Sequence, residues 1–154
     1  MRLRSSKVRR TNPRSRQLPL RTMISEILFV EDDDDDAELT LRTLRQGNLV
    51  NVIQRVRDGL EGLEYVFRQG TFEHRAGGLP SLILLDLQMP RVDGIEMLQT
   101  LRSDKLTESI PVIILTSSTD ELHRADAKRL DISYLLKPLS HAAFAEVVAQ
   151  MGLD

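Results

Sequence analysis

The sequence predicts an α/β domain built on one parallel five-stranded sheet with helices on both faces. Two observations carry this. From Ile24 onward, short apolar runs alternate strictly with amphipathic stretches, the order expected of strand–helix units joined by right-handed crossovers. Four of the five runs are near-continuous blocks of Val, Ile, Leu, Phe and Tyr, as in strands buried on both faces. The length, 154 residues, suits one compact domain.

The elements follow in order. Ile27–Val30 is the first strand, and Asp34–Asp36 precede a helix whose inner face is Ala37, Leu41 and Leu44, stopped near Gly47. Val52–Val56 is interrupted by Gln54 and Arg55 and so reads as an edge strand; Leu60, Leu63 and Phe67 line the second helix. Residues 69–80, with Gly70 and Gly77-Gly78, form a surface loop before the third strand, Leu82–Leu85. Asp93-Gly94 opens a helix faced by Ile95, Leu98 and Leu101. Val112–Leu115 is the fourth strand, and Thr119-Asp120 starts a fourth helical period with a weaker face, Leu122, Ala125 and Leu130. Tyr134–Leu136 is the fifth strand, after which Ser140 caps a helix faced by Phe144, Val147, Val148 and Met151.

Composition narrows the function classes. With 41% apolar and 29% charged residues, wholesale disorder is excluded. No cysteine is present, which removes disulfides, zinc-thiolate sites, iron–sulfur clusters and a cysteine nucleophile. The longest wholly apolar runs are four residues, too short to span a bilayer, and no secretory segment appears, so a cytoplasmic location is expected. The formal charge of −2 hides an asymmetry: residues 1–22 carry eight Lys/Arg and no acid, leaving 13 basic and 23 acidic side chains in residues 23–154, a net of −10. So acidic a body predicts no nucleic-acid binding through residues 23–154. The basic leader, 1–22, reads as disordered. Three explanations stand side by side: translation starting at Met23, a basic tail on an anionic surface, and an organelle-targeting peptide.

The chemistry collects at the strand ends. Ile27–Val30 runs into Glu31-Asp32, Leu82–Leu85 into Asp86, Val112–Leu115 into Thr116, and Tyr134–Leu136 into Lys137-Pro138. In a parallel sheet these positions share the carboxyl edge, where open α/β folds bind ligands. Three carboxylates brought together repel and need a cation. An all-oxygen set suits Mg²⁺, with Mn²⁺ as a substitute. A lysine and a hydroxyl beside them make the pocket complementary to a phosphoryl group, and in-line attack by a carboxylate would form an aspartyl phosphate.

The stretches ILFVEDDDDDAELTLRTLR, LILLDLQMPRVDGIEML, IPVIILTSS and YLLKP together resemble the response-regulator receiver domain of two-component signalling, over about Ile24 to Leu153. Within it they are similar to a stand-alone subgroup that includes the partners of bacterial phytochromes. The resemblance implies a flavodoxin-like (βα)5 three-layer sandwich with strand order 2-1-3-4-5. It implies that Asp86 is the phosphoacceptor, that Asp32 binds Mg²⁺ directly, and that Glu31 does so through water or supports it. Gln88 would offer its backbone carbonyl to the metal and, with Ser118, tune dephosphorylation. Thr116 would bond a phosphoryl oxygen, Lys137 would pair with it, and Pro138 would follow a cis peptide bond. Tyr134 reads as a core side chain or as an aromatic switch. The implied donor is a sensor histidine kinase, a bacterial phytochrome among the candidates. Output would run through protein contacts without a DNA-binding domain, and homodimerisation beside the last helix is implied by resemblance only. One departure is Leu130-Asp131, where the family usually has Gly-Ala.

Other readings meet obstacles in the residues. Asp34–Asp36 suit a helix N-terminus or a solvated charge run. An EF-hand fails because Ala37 stands where Gly, and Thr43 where Glu, would be needed. A haloacid dehalogenase-type phosphohydrolase needs a second Asp two residues after the nucleophile, where this chain has Gln88. A receiver-shaped module that is never phosphorylated would not need the acceptor, acidic pair, Thr and Lys. The expectation is therefore a phosphoacceptor switch rather than a turnover enzyme. His74, His123 and His141 suggest no metal triad.

Overall fold

A computed structural model describes residues 24–86, 94–117 and 132–153. Its elements are β1 (Ile24–Val30), α1 (Asp34–Leu44), β2 (Val50–Val56), α2 (Gly59–Phe67), β3 (Leu82–Asp86), α3 (Gly94–Ser103), β4 (Val112–Thr116), β5 (Ser133–Leu136) and α4 (His141–Gln150). All strand pairs are parallel, in the order β2-β1-β3-β4-β5. This is the doubly wound order that the resemblance implied. The leader, the helical period of Leu122, Ala125 and Leu130, Leu130-Asp131, Gln88 and Ser118 lie outside the described residues.

Alternation along each strand divides its side chains between two cores. On one face Ile27, Phe29, Leu82, Leu84, Ile113 and Leu115 pack with Ala37 and Leu44 of α1 and with Phe144 and Val148 of α4. On the other, Leu28, Val30, Ile83, Leu85, Val112 and Ile114 pack with Tyr65 and Val66 of α2 and with Met97, Leu98 and Leu101 of α3. The central strands β1, β3 and β4 are sealed on both faces, while β2 is the partly exposed edge its mixed composition predicts.

Three local expectations need correction. Asp33, not the Asp34–Asp36 run, caps α1 through its side chain; the three aspartates occupy the first turn, where negative charge still faces the positive end of the helix dipole. The buried face of α2 is Gly59, Gly62, Tyr65 and Val66, with Leu60, Leu63 and Phe67 half-buried at its flanks. Gly62 lets this face approach: a Cβ there would lie 2.7 Å from Met97 Cε. Finally, β5 is not sealed on both faces. Among the described residues it has a strand neighbour on one side only, and Tyr134 and Leu136 are 37% and 45% exposed.

The connection between α2 and β3 is a surface loop, as expected, with one short helical turn at Gly70–Phe72. Arg75 ties it down by stacking 4.0 Å over the Tyr65 ring and donating from Nε to the Tyr65 carbonyl at 2.6 Å. Among the described residues no helix is long and apolar enough to cross a membrane.

Leu84 is wholly buried in the middle of β3. Leu84→Ala is expected to cost about 2–5 kcal/mol by the usual cavity penalty, read from the urea midpoint. Val52→Ala on the half-exposed edge strand should move that midpoint far less.

Candidate functional site

The sheet register brings the strand-end residues to one rim. Val30 pairs with Leu85, so the next residues, Glu31 and Asp86, emerge side by side. Asp86 pairs with Leu115 and Thr116 with Leu136, and the Lys137 amide donates to the Thr116 carbonyl at 2.8 Å. One carboxylate oxygen from each of Glu31, Asp32 and Asp86 lies within 4.8 Å of the others. Lys137 Nζ reaches into this cluster, 2.8 Å from Glu31 Oε1, 3.4 Å from Asp86 Oδ2 and 3.2 Å from Asp36 Oδ2. The Lys137–Pro138 peptide is cis.

Glu31 is fully buried, whereas Asp32 and Asp86 are partly exposed. Burial is the largest influence on Glu31. Together with the neighbouring Asp86 charge it outweighs the Lys137 hydrogen bond and raises the carboxyl to about 7. Lys137 shows the opposite balance. Burial alone would lower it, but its bond to Glu31 and the charges of Asp86 and Glu31 hold the ammonium above the usual lysine range. Four carboxylates thus face one ammonium, a net of −3 when all are ionised.

The donor set fits a hard divalent cation. All three clustered groups are oxygen donors, and the buried Glu31 Oε1 is paired with the Lys137 ammonium at 2.8 Å. Three carboxylate oxygens within 4.8 Å of one another are near enough to hold one such ion, directly or through bridging water. Beside the cluster a cavity of 360 Å³ opens between Asp36, Leu39, Thr40, Ser117, Lys137 and Pro138, giving access from solvent.

The rim therefore gathers Glu31, Asp32, Asp86, Thr116 and Lys137 as expected. Thr116 is buried at 9% exposure, and Tyr134 lies on β5 with its side chain partly in solvent. Gln88 and Ser118 are outside the described residues. The sequence reading missed two participants. Asp36, read as a helix-end charge, accepts a hydrogen bond from Lys137. It is the third residue after the Asp33 cap, and helical side chains tilt towards the N-terminus, so capping by Asp33 would have aimed it at the rim. Arg55, read only as a break in an apolar run, donates from Nε and Nη2 to the Glu31 carbonyl at 3.0 and 2.7 Å. No local sequence signal marks that contact.

Residues 27–149 match the response regulator receiver domain family. The probable methanogenesis regulatory protein FilR2 of Methanothrix harundinacea is 37% identical over 129 residues, covering 81% of this chain and 79% of that protein. Among solved structures, the bacteriophytochrome response regulator RtBRR is 42% identical with a TM-score of 0.78, covering 86% of this chain and 80% of that one. The Mn²⁺-bound form of response regulator Rcp1 is 30% identical with a TM-score of 0.67, covering 82% of this chain and 90% of that one. By the extent of the family match and by these relatives, the chain belongs to the response regulator receiver domain family.

Proposed function

We propose that this receiver is a phosphoacceptor switch in which Asp86 takes a phosphoryl group from the phosphohistidine of a sensor kinase, with Mg²⁺ held by Glu31, Asp32 and Asp86. The observation that carries it is the meeting of those three carboxylates with Lys137 at one rim. An Asp86 carboxylate oxygen attacks phosphorus, an O–P bond forms, and the P–N bond to the imidazole breaks. The imidazole leaves with the electron pair and takes its proton from solvent. Bound Mg²⁺ would supply charge neutralisation for the phosphoryl oxygens. Lys137, already 3.4 Å from Asp86 Oδ2, would hold the phosphoryl by charge, and Thr116 would donate its hydroxyl to a phosphoryl oxygen. Gln88 and Ser118 would set the rate of dephosphorylation, and Tyr134 would respond to the recruitment of Thr116.

The similarity to RtBRR supports a bacterial phytochrome as the kinase, and the Mn²⁺ in the Rcp1 structure supports a divalent ion at the acidic cluster. In this reading the protein acts in the cytoplasm, turns over no substrate of its own, and signals through protein contacts, a homodimer among them.

Two outcomes test the reading. With acetyl phosphate and Mg²⁺, the wild type should incorporate one acid-labile phosphate per chain, and Asp86→Asn should incorporate none. Equal labelling of the variant would remove Asp86 from its role. The second test uses pH. Because the folded Glu31 carboxyl lies near 7 against 4.5 for the free group, its contribution to stability is present below pH 4.5 and lost as pH rises through 7. A cation binds the ionised form, so its stabilising effect should run the other way. Mg²⁺ should raise Tm more at pH 8 than at pH 5.5, and Glu31→Gln should flatten that difference. A Tm increment independent of pH in the wild type would mean that Glu31 does not face the ion.

A further inference from the structure

The backbone that presents Glu31 and Asp32 has an unusual support. β1 and β2 pair up to Val30 and Val56, and the Glu31 amide still donates to the Val56 carbonyl at 3.0 Å. The Glu31 carbonyl lies beyond the last ladder pair. There Arg55, opposite Phe29 in the register, extends along the strand and grips that oxygen with two N–H groups, Nε at 3.0 Å and Nη2 at 2.7 Å. Its third nitrogen, Nη1, donates to Asp34 Oδ1 at 2.9 Å, and Arg57 binds the same oxygen at 2.8 Å. The guanidinium side chain is 21% exposed, so solvent only partly screens it.

We propose that Arg55 is a positioning residue for divalent-cation binding: its two-point hold on the Glu31 carbonyl fixes the Glu31–Asp32 peptide plane and so the directions in which the two carboxylates leave the strand. The planar fork suits this task, since one rigid group spans the carbonyl and Asp34 together, which a lysine ammonium cannot reproduce. The hold comes from the back. Arg55 contacts the carbonyl of Glu31, whereas Lys137 contacts its carboxylate. The Glu31 side chain is pinned separately, Oε2 accepting from the Asp33 amide at 3.2 Å. The inference rests on the metal-binding reading above and adds a residue to it.

The sign of the effect separates positioning from charge. Were Arg55 only a positive charge near a cation site, removing it would tighten cation binding. As a positioner, its loss weakens binding, by about 10-fold to 100-fold, as is usual for groups that orient metal ligands. The experiment is a Mn²⁺ titration of the full chain, following free Mn²⁺ by electron paramagnetic resonance, with folding checked by circular dichroism. Arg55→Met should raise the Mn²⁺ Kd by about tenfold or more. Arg55→Lys, which keeps the charge and the stem, should also weaken binding and carries the test if the Met variant does not fold. Asp34→Asn leaves both bonds to the carbonyl and should stay within about threefold of wild type, below the range for lost ligand support. In phosphorylation by acetyl phosphate, the Mg²⁺ concentration for half-maximal rate should rise in the Arg55 variants, while the rate at saturating Mg²⁺ stays close to wild type. A merely structural role would not produce that split. If wild-type protein fails to bind Mn²⁺, the metal reading itself falls. If it binds and the folded Arg55 variants bind as tightly or more tightly, the positioning role alone is overturned.

Discussion

Repulsion among carboxylates, enforced by the sheet, is the constraint on which the rest of the site depends. The residues that meet at the rim are separated by 51 positions between Asp86 and Lys137 and by 101 between Asp36 and Lys137, so only tertiary structure holds them together. The strands that carry them are anchored by side chains with no solvent exposure, such as Leu28, Phe29, Leu84 and Leu115. Such a core does not relax to let acidic groups separate. The rim instead answers with one ammonium and an upward-shifted Glu31.

The first turn of α1 shows how a run of like charges is distributed. Asp32 faces the other two clustered carboxylates, Asp33 caps the helix, Asp34 is taken by Arg55 and Arg57, and Asp36 turns back to Lys137. Asp35 is exposed to solvent. The two arginines hold the Asp34 carboxyl below its usual range, their hydrogen bonds being the main cause. Asp33, Asp34 and Asp36 therefore meet three different donors, and a run of five aspartates is used residue by residue.

Much of this was legible because it follows from period and from strand ends. A four-residue apolar block that stops at Asp86, and a three-residue one that leads into Lys137, place those side chains at the carboxyl edge once the sheet is parallel, and the register agrees with the placement. What escaped depends on distances between elements that are remote in sequence. The grip of Arg55 on the Glu31 carbonyl spans 24 residues and depends on the register of β2 against β1 and on how far the side chain reaches along it. The inner face of α2 was misjudged because Gly62, which adds nothing to an apolar pattern, is the point where Met97 approaches. β5 looked sealed because its composition resembles that of β4, although the strand order 2-1-3-4-5 puts it at the margin, where Tyr134 and Leu136 meet solvent.

The charge count argues that the resting rim is poised rather than settled. Its net of −3 becomes −1 with one divalent cation, so the ion relieves most of the repulsion without removing the surplus that Lys137 balances. A phosphoryl group on Asp86 would exchange one negative charge for about two and would draw on the same ammonium that Glu31 and Asp36 now share. Competition for one lysine is a physical means of converting chemistry into movement. Lys137 is joined through its amide to the Thr116 carbonyl and follows directly on β5. A shift of its ammonium would act beside the junction of β4 and β5, where Tyr134 and Leu136 meet solvent.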